Sequence, residues 1–261
     1  MTELTMQLQE KTVFITGGAS GLGLAAARRF VEEGANVMLF DLDAERARQA
    51  AELLGEKAAW SSGDVASEQD VKAAVRQTMD HFGAIHVNIN SAGIGSAAKT
   101  VGRDGAMALD VFTRVINVNL IGTFNSLRLC AEQMVNNAHE APDNERGVII
   151  NVASVAAYDG QMGQAPYSAS KGGIASMTLP IARDLAREGV RVMTVAPGIF
   201  ETPLMSAAPD NVKDALLDMI QFPKRMGQPA EFADMAVHIV RCAYLNGEVI
   251  RLDAAIRMSA R

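Results

Sequence analysis

Short apolar runs rich in β-branched residues alternate with segments of helical periodicity along almost the whole chain, and this alternation limits the folds open to it. The seven predicted strands are 11–16, 36–40, 57–61, 85–89, 147–152, 190–195 and 247–252. A strand, a helix and a further strand form the unit of a parallel sheet, whose crossovers place helices on its faces. The alternation therefore predicts an α/β fold with one doubly wound, parallel, seven-stranded sheet covered by helices on both faces.

The helical segments and the connections are less regular. The clearest predicted helices are 67–82, capped by Ser67, 110–134, 165–187 and 229–244, and a shorter one follows a predicted cap at Asp43. Residues 95–109 have no clear period and are predicted to be a loop, while the polar segment 136–146, with Pro142, is predicted to lie on the surface. No repeat or change of composition divides the 261 residues, so we expect one domain over 1–261.

Charge and composition exclude several classes of function. A formal net charge of −6 without a basic cluster argues against a nucleic-acid-binding surface. The opening MTELTMQLQE lacks the pattern of a signal peptide, and no apolar stretch approaches the roughly twenty residues of a membrane span. Cys130 and Cys242 lie in helical contexts, and the four histidines are scattered, so we expect neither a disulfide framework nor a metal site. The expectation is a soluble, cytoplasmic protein.

A glycine-rich turn follows the first strand. Gly17, Gly21 and Gly23 punctuate the stretch from Thr16 into a helix that Gly34 is expected to end. Glycines let the backbone approach a pyrophosphate closely, and the free N–H groups and dipole of the helix amino end favour an anion. The alternative is an ordinary tight turn, which seldom needs three glycines. We interpret the segment as the phosphate cradle of a Rossmann-type dinucleotide site.

Acidic residues follow the second and third strands. Asp41 stands where an acid hydrogen-bonds the ribose hydroxyls of the cofactor and repels a 2′-phosphate. Since Leu42 and Asp43 offer no cation for a phosphate, NAD is favoured over NADP. Asp64 either holds the adenine amino group or only closes a turn.

The segment 151–173 brings together three groups that can carry chemistry. Ser154 follows the fifth strand at the ligand-binding edge of the sheet, and Tyr167 and Lys171 lie one turn apart on one helix face. The tyrosine pKa of about 10 is too high for a base at neutral pH, and a nearby cation favours the phenolate. Tyr167 is therefore the candidate acid/base, Lys171 the cation that lowers its pKa, and Ser154 a hydrogen-bond donor to a substrate oxygen.

Two further segments are predicted to border the ligand. The segment Asn90-Ser91-Ala92-Gly93 either lets a cofactor lie against its backbone or is only a turn that closes the strand. A Pro- and Gly-containing turn, 196–203, follows the sixth strand at the same edge. Leucine and methionine are frequent in 204–222, which is either plain core or a lid over an apolar substrate. Small residues along the helix 165–187 permit close packing by a cofactor or a second subunit.

These motifs, in this order, resemble those of the short-chain dehydrogenase/reductase family over essentially the whole chain. The matching pieces are Thr16-Gly17-x-x-x-Gly21-x-Gly23, Asp64, Asn90-Ser91-Ala92-Gly93, Asn119, Ser154, Tyr167-x-x-x-Lys171 and Pro197-Gly198. Segments such as GGASGLGLA, GQAPYSASKGGI and NGEVIRLDAAIRM are similar to the branch of type II 3-hydroxyacyl-CoA dehydrogenases, also described as hydroxysteroid dehydrogenases. Two positions differ from the family pattern: Ser91 replaces an Asn, and Ala254 replaces a Gly.

The resemblance implies roles for individual residues. Tyr167 would take the hydroxyl proton, Lys171 would also hold the nicotinamide ribose, Ser154 would bind the substrate oxygen, and Asn119 would place a water that relays the proton. Ser154 and Tyr167 would thus bind the substrate, and 201–226 would be its loop. The implied cofactor contacts are Gly17, Ser20, Gly21, Leu22, Gly23, Asp41, Asp64, Val65, Asn90, Ser91, Ala92, Gly93, Tyr167, Lys171, Pro197, Gly198, Phe200 and Thr202.

The function expected from residues and resemblance together is NAD-dependent oxidation of a secondary alcohol to a ketone, with 3-hydroxyacyl-CoA as the first candidate substrate. The alternatives within the same class are a hydroxysteroid dehydrogenase and a 3-ketoacyl reductase, and Asp41 argues against an NADPH-linked reductase. An alternative of another class is a catalytically silent NAD-binding regulator or scaffold, which usually lacks one of the four polar catalytic residues. The resemblance also implies a homotetramer.

Overall fold

The computed structural model describes residues 6–95, 97–140, 143–206 and 209–260. The first half of the chain forms β1 (Thr12–Thr16), α1 (Gly21–Glu32), β2 (Asn36–Asp41), α2 (Ala44–Leu54), β3 (Ala58–Ser62), α3 (Glu68–Phe82), β4 (Val87–Asn90), β5 (Val101–Gly102) and β6 (Gly105–Ala106). The second half forms α4 (Leu109–Ile116), α5 (Gly122–Met134), β7 (Gly147–Val152), α6 (Ala165–Leu185), β8 (Val190–Pro197), α7 (Pro203–Ser206), α8 (Asp210–Met219), α9 (Pro229–Arg241) and β9 (Val249–Leu252).

Seven of these strands form one sheet in the order β3-β2-β1-β4-β7-β8-β9, and each neighbouring pair is parallel. The predicted doubly wound, seven-stranded Rossmann-type sheet is confirmed. Strands β2 and β3 lie on one side of β1 and the later strands lie on the other. The order of the chain therefore reverses beside β1, and ligands of open α/β sheets bind at the carboxyl edge of such a point.

Two cores fill the space between the sheet and its helices. Ile15 of β1 packs in the core shared with α1, α2 and α9, which contains Phe30 and Phe232. Its neighbour Phe14 points to the other face and packs with Leu127 of α5 and residues of α3. Successive strand residues face opposite sides, so a sheet covered on both faces favours strands that are apolar on both sides. This explains the largely apolar runs of the sequence; the buried Asn88, Asn90 and Asn151 are joined by hydrogen bonds.

The predicted helix boundaries are confirmed within a few residues. The side chain of Ser67 accepts a hydrogen bond from the N–H of Asp70, and that of Asp43 accepts one from Arg46, so both are N-caps. Helix α9 ends at Arg241 rather than at the predicted 244, and β8 continues to Pro197.

The long helix predicted over 110–134 is interrupted. It begins at Leu109, and Asn117–Ile121 is π-helical before α5 continues in register. Asn119 lies in this turn, where its Oδ1 accepts from the N–H of Ile94 at 2.8 Å and its Nδ2 donates to the Ile94 carbonyl at 3.0 Å. The π-helical turn thus directs a buried side chain at the loop after β4, and such turns are frequent at functional sites.

The two segments predicted as irregular are more ordered than expected. In 95–109 the strands β5 and β6 pair antiparallel, and the N–H of Ala98 donates to the Gly163 carbonyl at 2.9 Å, just before α6. Within 136–146, Pro142 lies outside the described residues. The surface prediction is wrong for Glu145, which is buried and paired with Arg191 of β8.

Candidate active site

One large cavity of about 830 Å³ opens at the carboxyl edge of the sheet, and most of the predicted site residues line it. The predicted residues on its wall are Gly17, Ser20, Gly21, Leu22, Gly23, Asp41, Asp64, Val65, Ser91, Ala92, Gly93, Ser154, Tyr167, Lys171, Pro197, Gly198, Phe200 and Thr202. Asn90 and Asn119, the two remaining predicted residues, are fully buried behind it. The loops that follow β1, β2, β3, β4, β7 and β8 converge there because parallel strands end at the same edge.

The turn between β1 and α1 forms the predicted cradle. Gly17 adopts a φ of +63°, and a Cβ at this position would lie 2.9 Å from the Cα of Ala92. At Gly23 a Cβ would come within 2.3 Å of the Gly17 carbonyl oxygen. Ser20 caps α1 without a side-chain hydrogen bond to the helix, so the N–H groups of its first turn face the cavity. Glycine is required here by both backbone conformation and close approach.

Asp41 and Asp64 lie on the cavity wall, and each also braces a turn. Asp41 ends β2 and its Oδ2 accepts from the N–H of Ala19 in the cradle at 3.1 Å. The Oδ1 of Asp64 accepts from Ala66 at 2.8 Å, so the predicted turn role is present. Both residues nevertheless line the cavity.

The position of Asn90 corrects the sequence-based interpretation. The strand 85–89 was predicted to end before it, but β4 includes Asn90, whose side chain points away from the cavity. Its Nδ2 donates to Oδ1 of Asn88 at 2.7 Å and to Oδ1 of Asn151 at 2.9 Å. Asn90 therefore joins neighbouring strands inside the core, and within 90–93 the cavity is lined by Ser91, Ala92 and Gly93.

Ser154, Tyr167 and Lys171 come together as predicted. Ser154 follows β7 and forms a side-chain hydrogen bond with Tyr167, and its Oγ also accepts from the N–H of Ala156 at 3.1 Å. Lys171 is 4% exposed, and its Nζ donates to the Val152 carbonyl at 2.8 Å. That nitrogen lies 5.7 Å from the centroid of the Tyr167 ring. A phenol, a hydroxyl and an amine thus share one end of the cavity.

The electrostatics of this group are dominated by burial. Burial raises the pKa of Tyr167 above 10, while the hydrogen bond with Ser154 opposes the rise. Burial also lowers the pKa of Lys171 from 10.5 to about 8. In the chain by itself burial decides the direction of the Tyr167 pKa shift, and the amine of Lys171 is directed at a backbone carbonyl. That Lys171 lowers the Tyr167 pKa stays a prediction for the site with its cofactor.

The side chain of Asn119 lies close to Lys171 but forms its hydrogen bonds with the backbone of Ile94 and with Ser170. A Cβ at Gly93 would lie 3.3 Å from Oδ1 of Asn119 and 3.5 Å from Nζ of Lys171, so the two side chains flank this glycine. The Nδ2 of Asn119 also donates to Oγ of Ser170 at 3.1 Å, one residue before Lys171. Asn119 therefore joins the loop after β4 to helix α6.

Several cavity residues were not predicted. These are Asp110, Thr113 and Arg114 of α4, Asn117 of the π-helical turn, and Gln161, Gln164 and Met258. Met205 and Leu216 belong to the segment 201–226, whereas Ile220 packs against Val155 and Ile256, so this segment is partly lid and partly core. No local sequence pattern indicates Met258. It reaches the cavity because the C-terminal tail, residues 253–260, passes beside the loop before α6, where the N–H of Met162 donates to the Ala260 carbonyl.

Within the described ranges, His, Cys, Asp and Glu side chains nowhere gather in a group of three or more that could hold a metal ion. No helix that the structure describes is both long enough and apolar enough to cross a membrane.

Comparisons with known proteins agree with the geometry. A family model described as short chain dehydrogenase matches residues 11–213. The 3-hydroxyacyl-CoA dehydrogenase type-2 of Bos taurus is 54% identical over 248 residues, 94% of each chain. Among solved structures, 3-hydroxyacyl-CoA dehydrogenase type-2 from Mycobacterium avium has a TM-score of 0.91 and 38% identity, covering 98% of this chain and 100% of its own. A 3-ketoacyl-(acyl-carrier-protein) reductase from Brucella melitensis complexed with NADH has a TM-score of 0.85 and 29% identity, covering 96% and 100%.

Proposed function

The chain belongs to the short chain dehydrogenase family of oxidoreductases, and from that premise we propose that it oxidises 3-hydroxyacyl-CoA to 3-ketoacyl-CoA with NAD as its cofactor. The observation that carries the proposal is the group of Ser154, Tyr167 and Lys171 in a cavity that also contains the glycine cradle. The relatives named 3-hydroxyacyl-CoA dehydrogenase type-2 support the choice of substrate.

The cavity fits a dinucleotide. The close approach of Gly17 and Gly23 to neighbouring backbone and the free N–H groups of α1 suit a pyrophosphate. Asp41 would hold the adenosine ribose, and neither Leu42 nor Asp43 offers a cation for a 2′-phosphate, which favours NAD. The nicotinamide supplies the chemistry of accepting a hydride from the carbinol carbon.

The residues of the chain bind the alcohol and move its proton. Ser154 donates a hydrogen bond to the substrate oxygen, and Tyr167 accepts the hydroxyl proton. Lys171, with a pKa of about 8, exchanges a proton near neutral pH and stabilises the phenolate when charged. Positioned acid/base groups of this kind typically contribute about 10²- to 10⁴-fold in rate. The side chains of Met205, Leu216 and Met258 form an apolar wall that suits an acyl chain.

Initial rates with 3-hydroxybutyryl-CoA test the proposal. We expect reduced cofactor to form with NAD at a much higher kcat/KM than with NADP. Asp41→Ala should narrow this preference by about 10-fold or more, since loss of a charged hydrogen bond is worth about 1.5–3 kcal/mol. Asp43→Ala is the matched control, because Asp43 caps α2 and does not line the cavity.

Other outcomes would identify the alternatives. Oxidation of hydroxysteroids without oxidation of the CoA ester would replace the substrate, and a preference for NADPH in ketone reduction would indicate a ketoacyl reductase. If no alcohol of a broad panel reduced NAD while NADH still bound, the chain would be a catalytically silent NAD-binding regulator.

We also propose a homotetramer. Large apolar side chains are exposed on α4, α5 and α6, among them Leu109, Phe112, Phe124 and Leu179. Exposed apolar surface of this kind favours contact between subunits. Light scattering should give four times the chain mass of 27.8 kDa, and a monomer in dilute solution would contradict the assignment.

A further inference from the structure

Gln164 stands at the start of helix α6, directly before the turn that carries Tyr167. Its Oε1 accepts a hydrogen bond from the N–H of Gln161 at 3.0 Å, and its own N–H donates to the Gln161 carbonyl at 3.0 Å. A backbone N–H can donate only to the oxygen of the side-chain amide, so this contact assigns the positions of Oε1 and Nε2 in Gln164. The NH₂ group of Gln164 is therefore directed away from Gln161.

This amide is a donor on the cavity wall. Gln164 lines the cavity together with Ser154 and Tyr167, and among the described residues its Nε2 has no hydrogen-bond acceptor. Gln164 is the N-cap of α6, three residues before Tyr167, so the two residues lie next to each other on the wall of the same cavity. The amide of Gln161 differs, because its Nε2 donates to the Ser259 carbonyl and is thereby held against the tail.

We propose that Gln164 is a specificity-determining residue whose Nε2 binds the thioester carbonyl of the substrate. In a 3-hydroxyacyl thioester one methylene separates the reacting carbinol carbon from that carbonyl. When Ser154 and Tyr167 hold the hydroxyl, the second oxygen lies one methylene further along the same cavity, whose wall includes Gln164. A sterol or a simple secondary alcohol has no carbonyl at this place. The inference rests on the proposed function and names the group by which the site selects its substrate.

Two variants separate this role from a structural one. Gln164→Glu keeps an oxygen that accepts from Gln161 but removes the donor, whereas Gln164→Met removes both. Loss of a donor to a bound carbonyl should lower kcat/KM for 3-hydroxybutyryl-CoA by about 10- to 100-fold, and the carboxylate should lower it at least as much as methionine does. The matched control is Gln77→Met, an exposed glutamine of α3 outside the cavity. NADH affinity, measured on each variant, reports whether the site is intact.

A change in the substrate completes the test. The thioether S-(3-hydroxybutyl)-CoA keeps the alcohol and the CoA but lacks the carbonyl. The loss caused by Gln164→Met should be large with the thioester and small with the thioether, because the interaction is then already absent.

Three results would overturn the inference: a Gln164→Glu variant close to wild type, equal losses from Gln164→Met with both substrates, or a wild-type enzyme that oxidises the thioether as well as the thioester. The last needs no variant and holds even if both variants fail to fold. Failure of the proposed function itself is distinct, because the wild-type enzyme would then leave 3-hydroxybutyryl-CoA unchanged.

Discussion

Replacing Lys171 with methionine separates the contribution of this residue to catalysis from its effect on stability. The ammonium is buried and has one hydrogen bond, to the Val152 carbonyl. The difference between a pKa of 10.5 and one of about 8 corresponds to about 3 kcal/mol by which burial disfavours the charged form. Removing the amine relieves this penalty but leaves a buried carbonyl unpaired, which costs about 1–3 kcal/mol. At pH 7 we therefore expect Lys171→Met to be inactive and yet about as stable as wild type, or more stable.

The direction in which the free energy of unfolding changes with pH follows from the number of protons bound to the folded and the unfolded chain. Between about pH 8 and 10.5 the unfolded chain carries a proton on Lys171 that the folded chain has lost, so the free energy of unfolding of the wild type rises with pH. The methionine variant lacks this rise. The stability of wild type relative to the variant should consequently increase by up to about 3 kcal/mol between pH 7 and 10.5.

Urea unfolding of both proteins at matched pH values measures this difference, since the other titrating groups cancel between them. Lys72→Met, at an exposed position on α3 beside Glu68, is the matched control for a lysine-to-methionine change. A difference between wild type and Lys171→Met that stays constant from pH 7 to 10.5, or that changes in the opposite direction, would refute the reasoning from burial.

Two further predictions concern stability. Ala254 and Ala255 have φ values of +49° and +59°, a backbone region that costs a residue with a Cβ about 1–2 kcal/mol. Because glycine loses more conformational entropy on folding, Ala254→Gly should stabilise the protein by only about 0.5–1 kcal/mol, and a lower melting temperature of the variant would contradict this prediction. Arg191→Met should destabilise by about 3–5 kcal/mol, because it leaves Glu145 buried without its partner and the Ile239, Val240 and Leu245 carbonyls without their donor. Adding Glu145→Gln should recover part of this loss in urea unfolding, and a double variant no more stable than the single one would argue against the ion pair.

The sequence predicted those parts of the site that depend on local backbone. The cradle of Gly17 and Gly23 needs only a strand, a turn and a helix close together in the chain, and Tyr167 and Lys171 are related by one helical turn. The alternation of strands and helices then predicts a parallel sheet, whose carboxyl edge brings the loops together. This part of the prediction does not depend on the side chains of the loops.

The parts that were missed depend on packing between distant segments. Asn90 turns inward because β4 is one residue longer than its apolar run, and the pleat then places it on the same face as Asn88. The π-helical turn at Asn119 is set by its hydrogen bonds to Ile94. Met258 lines the cavity because the C-terminal tail passes beside the loop before α6, where Gln161 donates to the Ser259 carbonyl. The pKa of Tyr167 could not be read from the spacing to Lys171, because burial decides its direction.

The central claim is that the phenol of Tyr167 is the acid/base of the reaction, and Tyr167→Phe tests it most directly. The ring and its packing remain while the hydroxyl that bonds Ser154 is removed. We predict that kcat with NAD and 3-hydroxybutyryl-CoA falls by about 10²- to 10⁴-fold or more, while the Kd for NADH stays within a few-fold of wild type. Turnover close to that of the wild type would contradict the account.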